Sequence, residues 1–412
     1  MYGNPSNKLI VIGVTGTKGK SSTTQMMAQL LTAMGHKVGY TGTAGFSVAG
    51  MVIENKMKMT MPGRFVLQRL LRQMVQAGCE YALIETSSQG LVQYRHLGIN
   101  YDTAVFTNLS PEHIEAHGGF AAYRAAKKLL FTHLSMRAHK IIDGVKIDKV
   151  IVTNGDDEAG EFYADAEADK KCSFAWHGLA SASKIVPTKV GRDAHGLRMT
   201  IDHVDFAIPL LAEFEQQNAL CAVATLAAMG ISLSKLAVAA KGLKSIAGRF
   251  ERIDCGQPFT VIVDYAYEPK AIEMLLRSVE PLKPAHIIGV HGSAGGGRDV
   301  ARREKIGRLA GEKETLVIVT NEDPYDDSPE EIVRMVADGA RAVGKIDGQN
   351  LFVVMDRQEA IDEAVRRAST NDVVLITGKG SEPVMAVAGG VKIPWDDRES
   401  ARMALAKIGY KV

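Results

Sequence analysis

A glycine-rich loop between a buried strand and a helix is the feature that most limits how this chain can fold. The stretch LIVIGV, from Leu9 to Val14, has the apolar character of a strand in a parallel sheet. It continues through TGTKGK into SSTTQMMAQLLTAMG, a helical pattern that ends at Gly35. A strand, a glycine loop and a helix in this order predict an α/β unit whose loop binds phosphate.

The loop departs from the general phosphate-loop pattern, which has a glycine five positions before its second glycine. Val14 stands at that position, five residues before Gly19. If the loop does bind phosphate, Gly16 and Gly19 let backbone N–H groups approach an anion at the helix N-terminus. Lys20 then contacts the outer phosphates of a nucleotide, and Ser21 offers its hydroxyl to Mg²⁺. The alternative is a chance turn rich in glycine and lysine.

Length and composition exclude several classes of protein. The chain has 412 residues, more than one ordinary core holds, and its 46% hydrophobic and 23% charged residues are globular values. A formal net charge of +2 gives no reason to expect nucleic acid or an anionic membrane as a partner. The four scattered cysteines include no C-x-x-C pair, which argues against a zinc ribbon or a disulfide framework. The sequence has neither a signal peptide nor an apolar run of about 20 residues, so we expect a cytoplasmic protein.

The alternation of strand and helix patterns predicts two α/β domains. In the first half, YALIET, TAVFTNL and KVIVTNG have the composition of buried parallel strands, and GLRMTIDHVDFAIPL alternates as an antiparallel hairpin does. A second alternation begins after KSIAGRF and needs its own sheet. We therefore predict a phosphate-loop domain with a mostly parallel sheet at residues 1–244 and a Rossmann-like α/β domain at residues 245–412.

Three groups of polar residues are candidates for chemistry in the first half. Glu85 ends a buried strand, where it is either a hydrogen-bonded structural acid or a metal ligand, and the strand-end position favours the metal. His113 and His117 lie four apart and can share a helical face, but two histidines alone are more often a surface or capping feature. Lys127 and Lys128 fall on an amphipathic helical pattern, which ordinarily places both in solvent.

Eight stretches distributed over nearly the whole chain carry a resemblance to a known family. They are YGNPSNKLIVIGVTGTKGKSSTT, IETSSQGL, FTNLSPEHIEAHGGFAAYRAAKKLLF, AGRFERID, VDYAYEPKAI, SAGGGRD, LITGKGSE and PWDDRESAR. In this order they resemble the Mur ligase family, and most of all its tripeptide synthetases. The ATP loop of that family reads G-T-x-G-K-S/T, so Val14 in place of the upstream glycine is the form that the family uses.

The resemblance implies an amide ligase that depends on ATP and Mg²⁺. In such a ligase ATP phosphorylates a substrate carboxylate, and an amino group attacks the acyl phosphate. A tetrahedral intermediate then collapses to an amide, ADP and phosphate. Phosphorylation turns a carboxylate oxygen into a leaving group, and cations offset the charge on the transferred phosphoryl. The implied partners are a small-molecule or peptide carboxylate and an amino acid, with ATP held between two domains that close around it.

The resemblance also implies roles for individual residues. Glu85 and His113 match the family's magnesium ligands together with Ser21, and two magnesium sites are implied. Lys127 matches a lysine carried as a carbamate, in which CO₂ converts the amine into an anionic oxygen ligand that a hard cation prefers. This implication replaces the surface position that the helical pattern alone predicts for Lys127. The implied catalytic residues are Lys20, Glu85, His113 and Lys127.

Nucleotide binding is implied for the loop and for three residues farther along the chain. Asn218 matches an adenine-side asparagine, Arg249 a phosphate-contacting arginine and Asp264 a ribose-binding aspartate. The alternatives for these three are a helix N-cap, a surface ion pair and a strand-end carboxylate. The implied nucleotide-binding residues are Gly16, Thr17, Lys18, Gly19, Lys20, Ser21, Ser22, Asn218, Arg249 and Asp264.

The substrate-facing motifs depart from the family pattern. T-T-P-D reads TMPG here, S-S-H-A reads SSQG, and G-K-G-H-E reads GKGSE. D-N-P-R, the mark of the diaminopimelate-adding members, reads EDPY, with Tyr325 in place of the arginine. Tyrosine carries no positive charge to hold a carboxylate, so we do not expect diaminopimelate as the incoming amine. The implied substrate-binding residues are Thr60, Ser87, Ser88, Arg95, Arg303, Tyr325, Gly378 and Glu382, with a surface ion pair as the alternative for Arg303 and Glu382.

Three functions are compatible with these observations. We expect addition of an amino acid to a D-glutamyl carboxylate of a muramyl peptide. The sequence begins at MYGNPSNK, which resembles the linker after the synthetases' uridine-binding domain, so a partner that supplies that domain is one expectation. The alternatives are a Mur-like ligase for a carboxylate without uridine, such as a folate-type acceptor, a cofactor precursor or a peptide polymer, and a non-catalytic nucleotide-binding subunit. The presence of Glu85, His113 and Lys127 argues against the last.

Overall fold

A computed structural model describes residues 2–43, 45–53, 55, 59–111, 117–177 and 184–411. The chain forms two compact units, Met1–Lys244 and Ser245–Val412. We call them the first unit and the second unit and describe each by itself. None of the described helices is long and apolar enough to cross a membrane.

The first unit alternates strands and helices from its first residues onward. Its strands are β1 (Ile10–Thr15), β2 (Val38–Gly42), β3 (Gly45–Val48), β4 (Met51–Ile53), β5 (Tyr81–Glu85), β6 (Thr103–Phe106), β7 (Lys140–Ile142), β8 (Val145–Ile147), β9 (Val150–Asn154), β10 (Lys170–Phe174), β11 (Thr188–Asp193), β12 (Gly196–Ile201) and β13 (Val204–Ile208). Its helices are α1 (Lys20–Ala33), α2 (Arg64–Gln76), α3 (Ser88–Val92), α4 (Phe120–Ser135), α5 (Gly160–Ala164), α6 (Glu213–Ala228) and α7 (Leu233–Ala240).

The main sheet of the first unit has the order β10-β9-β6-β1-β5-β2-β3-β4. The strands from β10 to β2 pair in parallel, and β3 and β4 extend the sheet in antiparallel pairs. The predicted mostly parallel sheet is therefore confirmed. The predicted hairpin is also confirmed, because β12 and β13 pair antiparallel in a separate sheet with β11. The carboxyl ends of β1, β2, β5 and β6 meet at one edge, which positions the site described below.

The core of the first unit explains why these segments are strands and helices. Val11 on β1 and Ile84 on β5 are fully buried and pack in one cluster with Leu71 on α2 and Phe131 on α4. Burial of each such side chain contributes about 1.5–3 kcal/mol relative to leaving it in water. Apolar residues that recur at helical spacing on α2 and α4 thus hold both helices against the sheet.

The second unit contains the remaining elements. Its strands are β14 (Glu251–Ile253), β15 (Thr260–Asp264), β16 (Ile287–His291), β17 (Leu316–Val319), β18 (Leu351–Val353), β19 (Val373–Thr377), β20 (Val384–Ala386) and β21 (Lys392–Pro394). Its helices are α8 (Pro269–Val279), α9 (Ala301–Lys313), α10 (Pro329–Arg341), α11 (Arg357–Arg367) and α12 (Asp397–Lys407). Short 3-10 helices span Pro5–Lys8 in the first unit and Glu280–Leu282 and Ala388–Gly390 in the second.

The sheet of the second unit has the order β14-β15-β19-β16-β17-β18, parallel except for β14. From β16 the chain moves outward through β17 to β18, and it then returns to place β19 between β15 and β16. Helix α9 packs against α8 and α10, whereas α11 packs against α12. Connections that run in opposite directions along a parallel sheet lie on opposite faces, because such crossovers are right-handed. The second unit is thus a Rossmann-like α/β fold, as predicted.

Candidate active site

The loop between β1 and α1 depends on two glycines. Gly16 has a φ of +153°, and a Cβ atom at this position would lie 1.9 Å from Thr107 Oγ1. Gly19 caps α1 with a φ of +80°, and its Cβ would lie 2.2 Å from Asn218 Oδ1 on α6. The loop backbone therefore lies directly against polar side chains of α6 and of the segment that follows β6. The first N–H groups of α1, which have no partner within the helix, are available to an anion at this point.

Asn108, which the sequence analysis did not identify, fixes the loop from the segment after β6. Its backbone carbonyl accepts a hydrogen bond from Thr17 N at 2.8 Å, and its Oδ1 accepts one from Lys18 N at 2.9 Å. Its Nδ2 donates to Lys18 O at 3.0 Å. In the sequence Asn108 follows a buried strand, but that position alone does not reveal that the residue forms hydrogen bonds to the loop between β1 and α1.

The side chain of Lys20 lies on the loop itself. Its Nζ donates to Gly16 O at 3.1 Å and to Thr17 O at 2.9 Å. Ser21 and Ser22 follow in the first turn of α1. The predicted loop residues thus lie within one turn of backbone, and the amine of Lys20 lies at its centre.

Glu85 is buried at the edge where β5 ends. Its side chain is 1% exposed, and its Oε2 accepts hydrogen bonds from Ser21 Oγ at 2.9 Å and from Thr43 N at 2.8 Å. Thr43 Oγ1 also donates to Glu85 Oε1 at 3.1 Å and is hydrogen-bonded to Thr60 Oγ1 at 2.9 Å. Glu85 thus contacts Ser21 directly and is linked to Thr60 through Thr43. Thr43 lies just after β2 and was not predicted from the sequence.

The solvated position that the helical pattern predicts for Lys127 is wrong. The residue is 1% exposed, and its Nζ donates to Gly16 O at 2.7 Å and lies 4.3 Å from the centroid of the Tyr123 ring. Tyr123, Lys127, Leu130 and Leu134 follow helical spacing and form the buried stripe of α4. That stripe faces the end of β1, so the lysine reaches the loop. The neighbouring Lys128 instead donates to Phe162 O.

Four predicted substrate-binding positions follow β5 or lie beside its end. Ser87 caps α3 by accepting a hydrogen bond from Gly90 N at 3.1 Å, and Ser88 Oγ is hydrogen-bonded to His117 Nε2 at 3.1 Å. Arg95 Nη1 donates to Met61 O, which ties it to the segment that carries Thr60. His113 lies outside the described residues.

In the second unit, Asp264 and Arg249 lie at the end of β15. Asp264 is 6% exposed and accepts hydrogen bonds from Phe250 N and Ala266 N, each at 2.7 Å. Burial raises the pKa of this carboxyl above its ordinary value, and the Arg249 charge and the two N–H groups partly oppose the rise. The Arg249 guanidinium lies 4.3 Å from the centroid of the Tyr265 ring.

A buried lysine joins two acids at the end of β19. Lys379 Nζ donates to Asp323 Oδ2 at 2.7 Å and to Glu382 Oε2 at 2.6 Å, and Glu382 Oε1 accepts from Tyr265 Oη at 2.8 Å. Burial lowers the pKa of Lys379, but the two carboxylates more than offset this and the net shift is upward. Glu382 thus belongs to a partly buried network. Neither Lys379 nor Asp323 is predicted from the sequence.

Arg303 is also buried, which contradicts an ordinary surface ion pair. It is 5% exposed, and its Nη2 donates to Asp327 Oδ2 at 3.0 Å. Tyr325 stands in the same turn with a φ of +52°, and its ring packs against Gly296. Arg303, on α9, therefore contacts through Asp327 the loop segment after β17 that carries Tyr325.

Gly378 leaves room for the side chain of Glu322. The φ of Gly378 is +106°, and a Cβ there would lie 2.3 Å from Glu322 Oε2. Glu322 is 4% exposed, and burial raises its pKa from 4.5 to about 7. The nearby charges of Arg357, Lys379 and Arg302 act against this rise, and that of Asp323 adds to it.

Two family models match most of the chain. The model of the Mur ligase middle domain matches residues 14–226, and that of the Mur ligase glutamate ligase domain matches residues 248–380. The chain belongs to the Mur ligase family. Members of this family are ATP-dependent ligases that form an amide bond, release ADP and use Mg²⁺. This Mur ligase is accordingly an ATP-dependent amide ligase.

Individual relatives resemble the Mur ligase over almost its whole length. It is 38% identical over 415 residues to a UDP-N-acetylmuramyl-tripeptide synthetase of Roseiflexus sp. (strain RS-1), in a match that covers 99% of this chain and 81% of that protein. A UDP-N-acetylmuramoyl-L-alanyl-D-glutamate--2,6-diaminopimelate ligase of Geobacillus kaustophilus (strain HTA426) is 35% identical, with coverages of 99% and 81%. A solved structure of a ligase with the same name superposes with a TM-score of 0.69 at 26% identity, and the match covers 98% of this chain and 79% of that one.

The edge at β2 and β5 fits a magnesium ion by the chemistry of its donors. Mg²⁺ prefers oxygen ligands and keeps several waters or phosphate oxygens. The Glu85 carboxylate and the hydroxyls of Ser21, Thr43 and Thr60 are oxygen donors joined by hydrogen bonds of 2.8–3.1 Å. Among the described residues no three His, Cys, Asp or Glu side chains gather as a metal site.

Replacing Gly16 by alanine will weaken ATP binding by at least about tenfold, a loss of about 1.4 kcal/mol or more. The added methyl group would overlap Thr107 Oγ1, so the loop must move away from the segment after β6. Titration calorimetry with a non-hydrolysable ATP analogue measures the effect. Gly191→Ala is the matched control, because no atom would lie within 4 Å of the methyl group added there. Equal affinities in the two variants would contradict the role of the loop.

Replacing Glu322 by glutamine will stabilise the protein at pH 8 by about 3 kcal/mol and have little effect at pH 4.5. The carboxyl has a pKa of about 7 in the folded state against 4.5 ordinarily. Between these values the folded state holds more protons than the unfolded state, so stability falls as the pH rises. The uncharged amide of glutamine removes this fall in stability with rising pH. Urea unfolding at several pH values measures it, and a difference that does not grow from pH 4.5 to 8 would contradict the assignment.

Proposed function

We propose that this Mur ligase adds an amino acid to the D-glutamyl carboxylate of a muramyl peptide, through an acyl phosphate. The observation that supports this most is the 38% identity over 415 residues to a muramyl-tripeptide synthetase. The retained loop and the buried Glu85 edge agree with phosphoryl transfer as the first step. Since ATP is the phosphoryl donor, we also propose a cytoplasmic location.

In this proposal the loop residues hold the triphosphate of ATP. The N–H groups of residues 19–22 would bind the phosphates at the start of α1, while residues 16–18 would hold the loop in place against Asn108. Lys20 would leave its carbonyl partners to offset the charge on the outer phosphates. Asn218 lies against Gly19 and would close the adenine side of the loop. Arg249 would contact a phosphate group of ATP, and Asp264 would bind its ribose.

Ser21, Glu85, His113 and Lys127 would hold magnesium in this proposal. The bound cation would offset the charge that gathers on the transferred phosphoryl group. Lys127 would supply an anionic oxygen as a carbamate: its neutral amine forms an N–C bond to CO₂ and loses one proton. The burial of Lys127 beside Gly16 supports this, because a carbamate there faces the same loop as the phosphates.

The remaining predicted residues would serve the two substrates. Thr60, Ser87, Ser88 and Arg95 lie around the end of β5, where they would bind the acceptor and hold its carboxylate beside the loop. Tyr325, Gly378 and Glu382 follow strands of the second sheet, and Arg303 on α9 contacts Asp327 in the turn of Tyr325. These four residues would bind the incoming amino acid. Hydrogen bonds to a buried guanidinium hold a carboxylate in a fixed orientation.

The test compares acceptors. We would incubate the protein with MgATP, a panel of amino acids, and one of three acids: UDP-N-acetylmuramoyl-L-alanyl-D-glutamate, the same muramyl dipeptide without uridine nucleotide, and a folate-type glutamate. Mass spectrometry detects the amide. The proposal predicts product with a muramyl acceptor and none with Lys20→Ala. Product only with the folate-type acid would overturn it in favour of another carboxylate, and ATP binding without any product would favour a non-catalytic subunit.

A further inference from the structure

Thr43 holds the carboxylate of Glu85 by both of its oxygens. The residue directly follows β2, and its backbone N–H donates to Glu85 Oε2 at 2.8 Å while its Oγ1 donates to Glu85 Oε1 at 3.1 Å. Glu85 is 1% exposed, whereas Thr43 is exposed to solvent. Hydrogen bonds to both oxygens of one carboxylate add geometric specificity, because they fix the rotation of the group as well as its position.

The main chain at Thr43 is itself held in place. Asn55 Nδ2 donates to Gly42 O at 3.1 Å and to Thr43 O at 3.3 Å. The same nitrogen donates to Met59 O at 2.9 Å. A Cβ at Gly42 would lie 2.5 Å from Glu85 Oε2, so glycine at this position lets the carboxylate lie directly against the end of β2. The two donors of Thr43 therefore reach Glu85 from a backbone segment that Asn55 anchors.

The hydroxyl groups around Glu85 form a chain of donors that ends at its carboxylate. Thr43 has a single hydroxyl proton, which it donates to Glu85, so Thr60 is the donor in the 2.9 Å hydrogen bond between the two threonine hydroxyls. Ser21 Oγ donates to Glu85 Oε2 at 2.9 Å. A carboxylate has about four lone-pair positions, and the described residues fill two on Oε2 and one on Oε1. The remaining position, on Oε1, is available to a cation.

We propose that Thr43 is a positioning residue that holds Glu85 in the orientation in which it binds magnesium. The inference rests on the proposed function, which places Glu85 at the magnesium site, and it adds a residue that acts through Glu85. A carboxylate that hydrogen bonds already orient loses little freedom when a cation arrives, so the cation binds more tightly. Loss of such an outer partner typically weakens metal binding by about 10–100-fold.

The measurement is the factor by which Mg²⁺ raises the affinity of the protein for a non-hydrolysable ATP analogue, from calorimetric titrations with Mg²⁺ and with EDTA. Thr43→Val removes the hydroxyl but keeps the N–H and nearly the volume of the side chain. We expect it to reduce this factor by about tenfold and to leave the affinity in EDTA unchanged. Thr43→Ser, which restores the hydroxyl, should return the factor to within about threefold of that of the original protein.

Thr41→Val is the matched control. Thr41 lies two residues earlier on β2, its side chain is fully buried, and its Oγ1 has no hydrogen-bond partner among the residues that the structure describes. Its replacement should leave the Mg²⁺ factor within about twofold of the original. Equal factors in Thr43→Val and Thr41→Val would overturn the inference, and so would a Thr43→Ser variant as weak as Thr43→Val.

Glu85→Gln separates this inference from the proposed function. If Glu85→Gln leaves the Mg²⁺ factor unchanged, the magnesium role assigned to Glu85 fails, and the inference fails with it. A loss in Glu85→Gln without a loss in Thr43→Val overturns the inference alone. A general disturbance at the end of β2 would instead lower the affinity in EDTA and the thermal unfolding midpoint of Thr43→Val, and that result would also overturn it.

Discussion

Replacing Lys127 by alanine will lower the rate of amide formation by about a thousandfold, while the protein remains folded. The side chain is buried on α4 and donates to Gly16 O, in the loop between β1 and α1. Alanine removes the amine that would carry the carbamate, and with it an anionic oxygen beside the phosphates. A small carboxylic acid such as propionate fits the space that the side chain leaves, so it should restore part of the rate. Initial rates of ADP release with and without propionate measure both effects.

Lys128→Ala is the matched control for this variant. Lys128 is the next residue of the same helix, but it contacts Phe162 O and Asp165 and does not reach the loop. We expect its rate to stay within about threefold of the original protein, as for most substitutions outside a site. Equal losses in the two variants, or a Lys127→Ala rate within about tenfold of the original, would contradict the assigned role of Lys127.

Replacing Asp397 by alanine will destabilise the second unit by about 3–5 kcal/mol. Asp397 and Arg357 are both fully buried, with Arg357 Nε to Oδ1 at 2.8 Å and Nη2 to Oδ2 at 2.7 Å. Trp395 Nε1 also donates to Asp397 at 2.8 Å. Loss of the carboxylate leaves a buried guanidinium without its charged partner. Arg357 also donates to Thr377 O and Asn321 O, so the ends of β17 and β19 loosen too.

Urea unfolding, monitored by hydrogen exchange in peptides from α11 and α12, measures this loss of stability in the second unit alone. Asp338→Ala is the control. Its carboxylate pairs with Arg334 and Arg341 on the exposed side of α10, and exposed pairs contribute about 0–1 kcal/mol. A loss for Asp397→Ala no larger than that of the control would show that the buried pair does not hold these strand ends.

The sequence predicts the sheets better than it predicts the site. LIVIGV and YALIET are apolar runs bounded by glycine or polar residues, so their place in a parallel sheet follows from composition. The proximity of Ser21 and Glu85 also follows, because parallel strands end at one edge. Thr43 is not predicted in this way, since it follows a strand that ends in TG, and the stretch TGT carries no distinctive apolar or charged signal.

The burial of Lys127 depends on a partner that the helical pattern does not contain. The helical spacing around Lys127 allows the side chain to lie on either the buried or the exposed face of α4. A lysine is predicted to lie in solvent unless a buried hydrogen-bond acceptor is known. The acceptor is a backbone carbonyl 111 residues earlier in the chain. Contacts between distant segments therefore account for what the sequence analysis missed.

The central claim is that this Mur ligase activates a carboxylate by phosphorylation. The most direct test uses an acceptor whose reactive carboxylate carries ¹⁸O in both oxygens, incubated with MgATP and the preferred amino acid. Mass spectrometry then follows the phosphate and the amide. The account predicts that each phosphate released carries one ¹⁸O from the carboxylate and that the amide keeps the other. Unlabelled phosphate in an amount equal to the amide formed would contradict an acyl phosphate, and with it the assigned chemistry of the site.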